Sequence, residues 1–213
     1  MNNLVGIIVS IIYIVIVFGL SKFVAKKGEE ISRKFVHILL CNIWFIYLIF
    51  IDSLIWACIL PLAFVIINIF SYKFKLIKSM ERQNNDGFGT IYYAFSILLI
   101  SVFVYYTKMP IVGAPGILIM GYGDGLAAIV GQKMKSKKFV IGNSTKSFAG
   151  SFTMFCISLF ISLVVFCFLG TEYLICKAVA ISIIATILEA ISIKGLDNIT
   201  VPIGITILTY FLM

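Results

Sequence analysis

Long apolar runs separated by short polar clusters make up almost the whole chain. They lie near 4–20, 35–51, 53–70, 91–106, 111–130, 148–169, 173–193 and 199–213. Most have the ~17–25 residues that a helix needs to cross ~30 Å of hydrocarbon. The pattern therefore predicts an all-α, polytopic membrane bundle of about seven to eight helices, with 1–213 as a single domain. The last run is the exception. At about 1.5 Å per residue it reaches only ~22 Å, and Pro202 and Gly204 fall inside it. It is expected to be a short span, a re-entrant piece or a helix broken near its start. The first run is read as a span rather than a removable signal peptide, because its basic residues follow the apolar stretch and no small-x-small cleavage site ends it.

Composition agrees with this class: 62% of residues are hydrophobic, 12% are charged and the mean hydropathy is +1.12. The chain carries 17 Lys and Arg against 9 Asp and Glu. The placement of the basic residues adds more than their number. Segments 22–34, 71–90, 131–147 and 194–200 hold all but Lys108 and Lys177. By the positive-inside rule these four segments face the cytoplasm, so eight spans would leave both termini outside, as expected of a multi-pass protein of the cell membrane. Basic residues scattered over short loops give no nucleic-acid surface. The five cysteines lie in apolar runs without Cys-x-x-Cys spacing, so neither a zinc site nor a disulfide framework is expected.

Against so apolar a background, polar residues stand out, and they gather near the predicted cytoplasmic loops. Asp124 sits in Gly121-Tyr122-Gly123-Asp124-Gly125, where alternate glycines are expected to loosen a helix and let the acid face a cavity. An acidic residue at membrane depth costs about 2.5–3.5 kcal/mol and calls for a partner. Arg33 and His37 are four apart and share a helix face, while Lys34 reads as a snorkelling collar lysine. Asn84 to Thr90 reads as a turn and a helix start that brings in Asp86, with Thr90 as N-cap. Lys146 and Ser147 open the next apolar run, where a helix N-terminus could hold phosphate oxygens. Glu189 is a second buried acid. Asp197 and Asn198 precede the last run, with Asn198 either a loop cap or a phosphate contact. Asp124, Glu189 and Asp197 together offer the oxygen ligands that Mg²⁺ prefers.

In this order, Arg33-Lys34-x-x-His37, Gly123-Asp124-Gly125-x-Ala127-Ala128-x-x-Gly131, Lys146-Ser147-x-x-Gly150-Ser151, Glu189 and Asp197-Asn198-x-x-x-Pro202 resemble the CTP-dependent lipid-alcohol kinases. That family includes dolichol, phytol and farnesol kinases and the yeast-type CTP-dependent diacylglycerol kinase. Gly89-Thr90-x-Tyr92-Tyr93 and the short length resemble the compact phytol-kinase-like members.

The resemblance implies transfer of the γ-phosphoryl group of CTP, or of UTP or ATP, to a membrane-resident alcohol, with Mg²⁺ as cofactor. It implies Asp124 as metal ligand with Asp197 or Glu189 as the second. Arg33, Lys34, Lys146, Ser147, Asn198 and Thr90 would lie at the nucleotide and its phosphates, and Glu189, Asp197 or His37 would act as base. Two other readings fit the sequence less well. A CDP-lipid synthase should carry a Lys-Asp pair followed by a Gly- and His-rich tail, which the sequence lacks. A lipid or anion transporter should place its polar residues at mid-membrane between repeated halves, whereas here they cluster toward one face.

Overall fold

Each apolar run becomes a helix, because a backbone without water must satisfy its N–H and C=O groups within its own segment. The computed structural model describes residues 2–74, 88–141 and 144–213; Asp86, Lys75, Lys78 and Arg82 lie outside them. The helices are α1 (Asn3–Val24), α2 (Glu29–Leu40), α3 (Ile43–Phe50), α4 (Leu54–Phe74), α5 (Gly89–Tyr106), α6 (Gly113–Leu118), α7 (Gly125–Lys133), α8 (Phe148–Leu169), α9 (Leu174–Ile191) and α10 (Asp197–Leu212). Seven helical stretches among the described residues are long and apolar enough to cross a membrane, with α2–α3 forming one and the α6–α7 region another.

The second stretch bends where α2 meets α3. Asn42 N–H bonds back to the Leu39 carbonyl at 3.0 Å, a tighter turn than the flanking helix. Side chains clip the bend: Tyr122 Oη donates to Asn42 Oδ1 at 2.8 Å, and Asn42 Nδ2 donates to Tyr13 Oη at 3.2 Å.

The fifth stretch is the centre of the bundle, with every residue from Val112 to Gly121 buried. Small residues let neighbours approach it closely. A Cβ added at Gly116 would collide with Thr206 Oγ1 and the Pro202 carbonyl of α10. This contact holds the last helix against the central one. That helix runs unbroken through Pro202 for 16 residues, shorter than the seven long stretches, so the break expected near its start does not occur. Within 131–147, expected as plain loop, there is also a small antiparallel ribbon, β1 (Lys138–Ile141) and β2 (Ser144–Ser147), with Lys138 opposite Ser147 and Phe139 opposite Lys146.

Candidate functional site

Asp124 is placed by a π-helical turn, Ile119–Asp124, between α6 and α7. Such turns widen the helix and recur at functional sites. The alternating glycines also serve packing. A Cβ at Gly121 would lie 2.5 Å from Cys41 Sγ, and one at Gly125 would strike Ile38, so both glycines let this segment lie flat on α2.

The close approach brings α2 side chains onto Asp124. Lys34 Nζ donates to Asp124 Oδ2 at 2.6 Å, and both side chains are 9% exposed. His37 Nε2 stands 3.0 Å from the Met120 carbonyl and 3.3 Å from Asp124 Oδ2. The snorkelling reading of Lys34 is therefore corrected: its ammonium is the buried counterion of Asp124. Arg33, one position and about 100° around the helix, turns to Glu30 instead, with Nε to Oε2 at 3.0 Å. The face that meets Asp124 carries residues 34 and 37.

The second half of the site comes from the ribbon, α9 and α10. Lys146, on β2, donates to Glu189 Oε1 near the end of α9 and lies 3.8 Å from Asp197 Oδ2 at the start of α10. Burial lowers the Lys146 pKa, but Glu189 and then Asp197 outweigh it, leaving it raised above the ordinary lysine value. Ser147 is the N-cap of α8, its Oγ accepting from Gly150 N–H at 3.1 Å. Asn198 is buried, and its Oδ1 has no partner among the described residues. Thr90 is not the N-cap of α5. The helix begins at Gly89 after Phe88, so Thr90 lies in its first turn.

These groups line one cavity of about 440 Å³ at one end of the bundle. Nine of the ten candidate residues reach it: Arg33, Lys34, Thr90, Asp124, Lys146, Ser147, Glu189, Asp197 and Asn198. His37 does not; it lies behind Asp124. Lys138, Lys194, Gln132 and Ser192 line the cavity as well. Their only sequence signal was adjacency to the motifs, which many solvated loop residues share.

Asp124, Glu189 and Asp197 each bring a carboxylate oxygen into a group lying within 4.8 Å of one another. Lys34 and Lys146 face these three carboxylates, while Arg33, Lys138 and Lys194 line the same cavity, so acidic and basic groups share one space. The three donors are hard carboxylate oxygens, a set that suits a hard divalent cation rather than a thiophilic metal.

Comparison with known proteins gives a consistent set of relatives. The chain is 34% identical over 146 residues to "Phytol kinase" of Synechocystis sp., covering 68% of this chain and 63% of that protein. It is 30% identical over 204 residues to "Phytol kinase 1, chloroplastic" of Arabidopsis thaliana, covering 85% of this chain and 66% of that protein. It is 30% identical over 207 residues to "Probable phytol kinase, chloroplastic" of Triticum aestivum, covering 87% of this chain and 68% of that protein. The chain spans a little under two thirds of the length of the first two. No family model matches, and no solved structure does.

Proposed function

The chain belongs to the phytol kinase family, and from that premise we propose that it transfers the γ-phosphoryl group of a nucleoside triphosphate to the hydroxyl of a membrane-resident, isoprenoid-type alcohol. The observation that carries the reading is the cluster of three carboxylates faced by Lys34 and Lys146 in a single cavity of a membrane bundle. Phosphoryl transfer asks mainly for positioning and charge neutralisation. CTP as donor rests on the resemblance of the motifs. The site faces the cytoplasm, where the donor is dissolved.

Asp124 and Glu189 would hold Mg²⁺, which when bound neutralises charge on the β- and γ-phosphates. Lys146 leaves its carboxylate partners to meet the γ-phosphate, aided by Arg33 and by the amides and hydroxyl at Ser147. Thr90 and Asn198 contact the rest of the nucleotide. The alcohol oxygen attacks the γ-phosphorus as the bond to the β–γ bridging oxygen breaks, releasing the nucleoside diphosphate. Asp197 takes the alcohol proton. With Asp124 and Glu189 given to the cation, Asp197 is the carboxylate left for this role; Lys146 stands 3.8 Å from its Oδ2, beyond hydrogen-bond distance, and its Oδ1 accepts from Asn198 N–H at 3.1 Å. His37, outside the cavity, orients Asp124 and carries no proton from the substrate.

The test is label transfer from CTP in membranes supplied with a panel of lipid alcohols. γ-Label in a lipid monophosphate, abolished by chelating the divalent cation, is the expected result. α-Label in lipid would mark a CDP-lipid synthase, and no lipid label with any nucleotide or alcohol would overturn the reading. Orientation is tested separately. A Lys135→Cys variant should resist an impermeant thiol reagent in intact cells, and labelling from outside would reverse the topology.

A further inference from the structure

A second, narrow cavity of about 50 Å³ lies between α2–α3, α4, α5 and the central stretch, lined among others by Cys41, Trp44, Phe64, Tyr93, Ala94 and Ile97. Its place relative to the charged cavity follows from helix periodicity. On α5, Thr90, Tyr93, Ala94 and Ile97 recur at the i, i+3, i+4, i+7 spacing of one helix face. Thr90 lines the charged cavity, and the other three line the narrow one. On α2 and α3, Lys34, His37, Cys41 and Trp44 follow a similar spacing, again with the charged cavity at Lys34 and the narrow one at Cys41 and Trp44. Two facing stripes thus change from charged to apolar at the same level.

The level of the change is the His37–Tyr93 pair, whose ring centroids are 4.6 Å apart, with Tyr93 Oη donating to the His37 carbonyl at 3.2 Å. One imidazole separates the slot from Asp124. At its other side the slot is rimmed by Ile14, Leu60 and Phe64, half-buried side chains of apolar helices.

We propose that this slot holds the hydrocarbon chain of the acceptor alcohol, whose hydroxyl passes the His37–Tyr93 pair to reach the carboxylate cluster. The proposal rests on the kinase reading and deepens it, giving the acceptor a path from bilayer to site. An apolar slot in a membrane protein suits an alkyl chain, and its place next to the phosphate cavity, across the His37–Tyr93 pair, matches a molecule that is apolar for most of its length and ends in one hydroxyl. The slot takes the segment next to the hydroxyl and the remainder of the chain stays in the bilayer. Its narrowness favours a single unbranched or methyl-branched chain over the two acyl chains of a diacylglycerol.

Two measurements test the slot. First, a long isoprenoid alcohol with a diazirine near its hydroxyl is photolysed with the full-length protein in membranes, with and without excess unlabelled alcohol. Competed label on residues 40–47 and 93–97 is expected, and competed label elsewhere, or none, overturns the slot. This readout needs no turnover, so it stands even if phosphoryl transfer is not found. Second, Ala94→Leu and Ile97→Trp narrow the slot, the latter at a half-buried position that tolerates bulk. Each should raise the KM for isoprenoid alcohols by roughly tenfold, long and two-isoprene alike because they share the segment next to the hydroxyl, while leaving the KM for nucleotide nearly unchanged. An equal rise in the nucleotide KM, a fall in kcat with the alcohol KM unchanged, or no change at all would show the positions to be merely structural. Absence of transfer by the wild-type protein would instead refute the kinase reading.

Discussion

Two lysine–carboxylate pairs face the same cavity, and they differ in what holds them. Lys34 and Asp124 come from membrane-spanning helices, each 9% exposed, with His37 Nε2 a further 3.3 Å from the same carboxylate oxygen. Lys146 comes from a ribbon of four-residue strands and is 18% exposed, and it is shared between Glu189 and Asp197. The first pair is fixed by the bundle. The second joins a surface element to two helix ends and can exchange partners without disturbing a span. A phosphate-transfer site needs both kinds: an immovable acid to fix where charge is neutralised, and a cation that can leave one anion for another.

The sharpest way to break this comparison is at Asp124. Asp124→Asn should abolish turnover, and it should also destabilise the bundle by about 3–5 kcal/mol because Lys34 is left buried without a counter-charge. Adding Lys34→Met removes the orphaned charge. The double variant should recover most of the lost thermal stability in detergent while remaining inactive. If it regained substantial γ-label transfer, Asp124 would be a structural partner of Lys34 and nothing more.

Lys146→Met comes next. Its partner Glu189 is 7% exposed and Asp197 15%, and a cation entering the cavity can replace the ammonium, so the loss of stability should be about 1–3 kcal/mol, below that of Asp124→Asn. Turnover should fall by about 10²-fold, a loss of about 2.7 kcal/mol of transition-state stabilisation. Kinetics with saturating lipid alcohol would read it, and a loss confined to the lipid KM would argue against a phosphate role.

Much of this could be read from the sequence because burial in a bilayer is a local, compositional demand. Each of the eight apolar runs corresponds to helix, and Asp124 and Glu189 were visible as polar exceptions to their runs, with Asp197 just ahead of the last one. Pairing was less legible. Lys34 and Asp124 are 90 positions apart, and nothing local distinguishes Lys34 from Arg33, its neighbour in the same basic cluster. The choice is made by helix phase together with the glycines that let the Asp124 segment lie on α2. The apolar slot was illegible for the opposite reason, since its lining residues are ordinary members of apolar runs. Only the facing of α2–α3 and α5 makes their stripes a path.

A smaller contrast lies within the ribbon. Ser147 caps α8, so Ser147→Ala should cost about 1 kcal/mol of stability by the usual value for a lost cap, with a greater effect on nucleotide use if its hydroxyl also meets phosphate. Measuring both quantities on the same preparation separates cap from contact.

The smallest expected effects come from two lysines three residues apart. Lys138 is exposed, yet it lines the charged cavity and stands opposite Ser147 in the ribbon. Lys135 is also exposed and does not line the cavity. Both count equally toward the basic character of the loop. If the loop merely attracted anionic nucleotide through its net charge, Lys138→Met and Lys135→Met would raise the nucleotide KM alike, and added salt would erase both effects. If position in the cavity decides, Lys138→Met should raise that KM about threefold to tenfold, near the worth of one partly exposed charge-assisted contact. Lys135→Met should then stay within about twofold of the wild type, as usual for a surface substitution. Measuring the pair at low and at physiological ionic strength distinguishes the two cases, because a contact made inside the cavity keeps most of its effect when the diffuse field is screened.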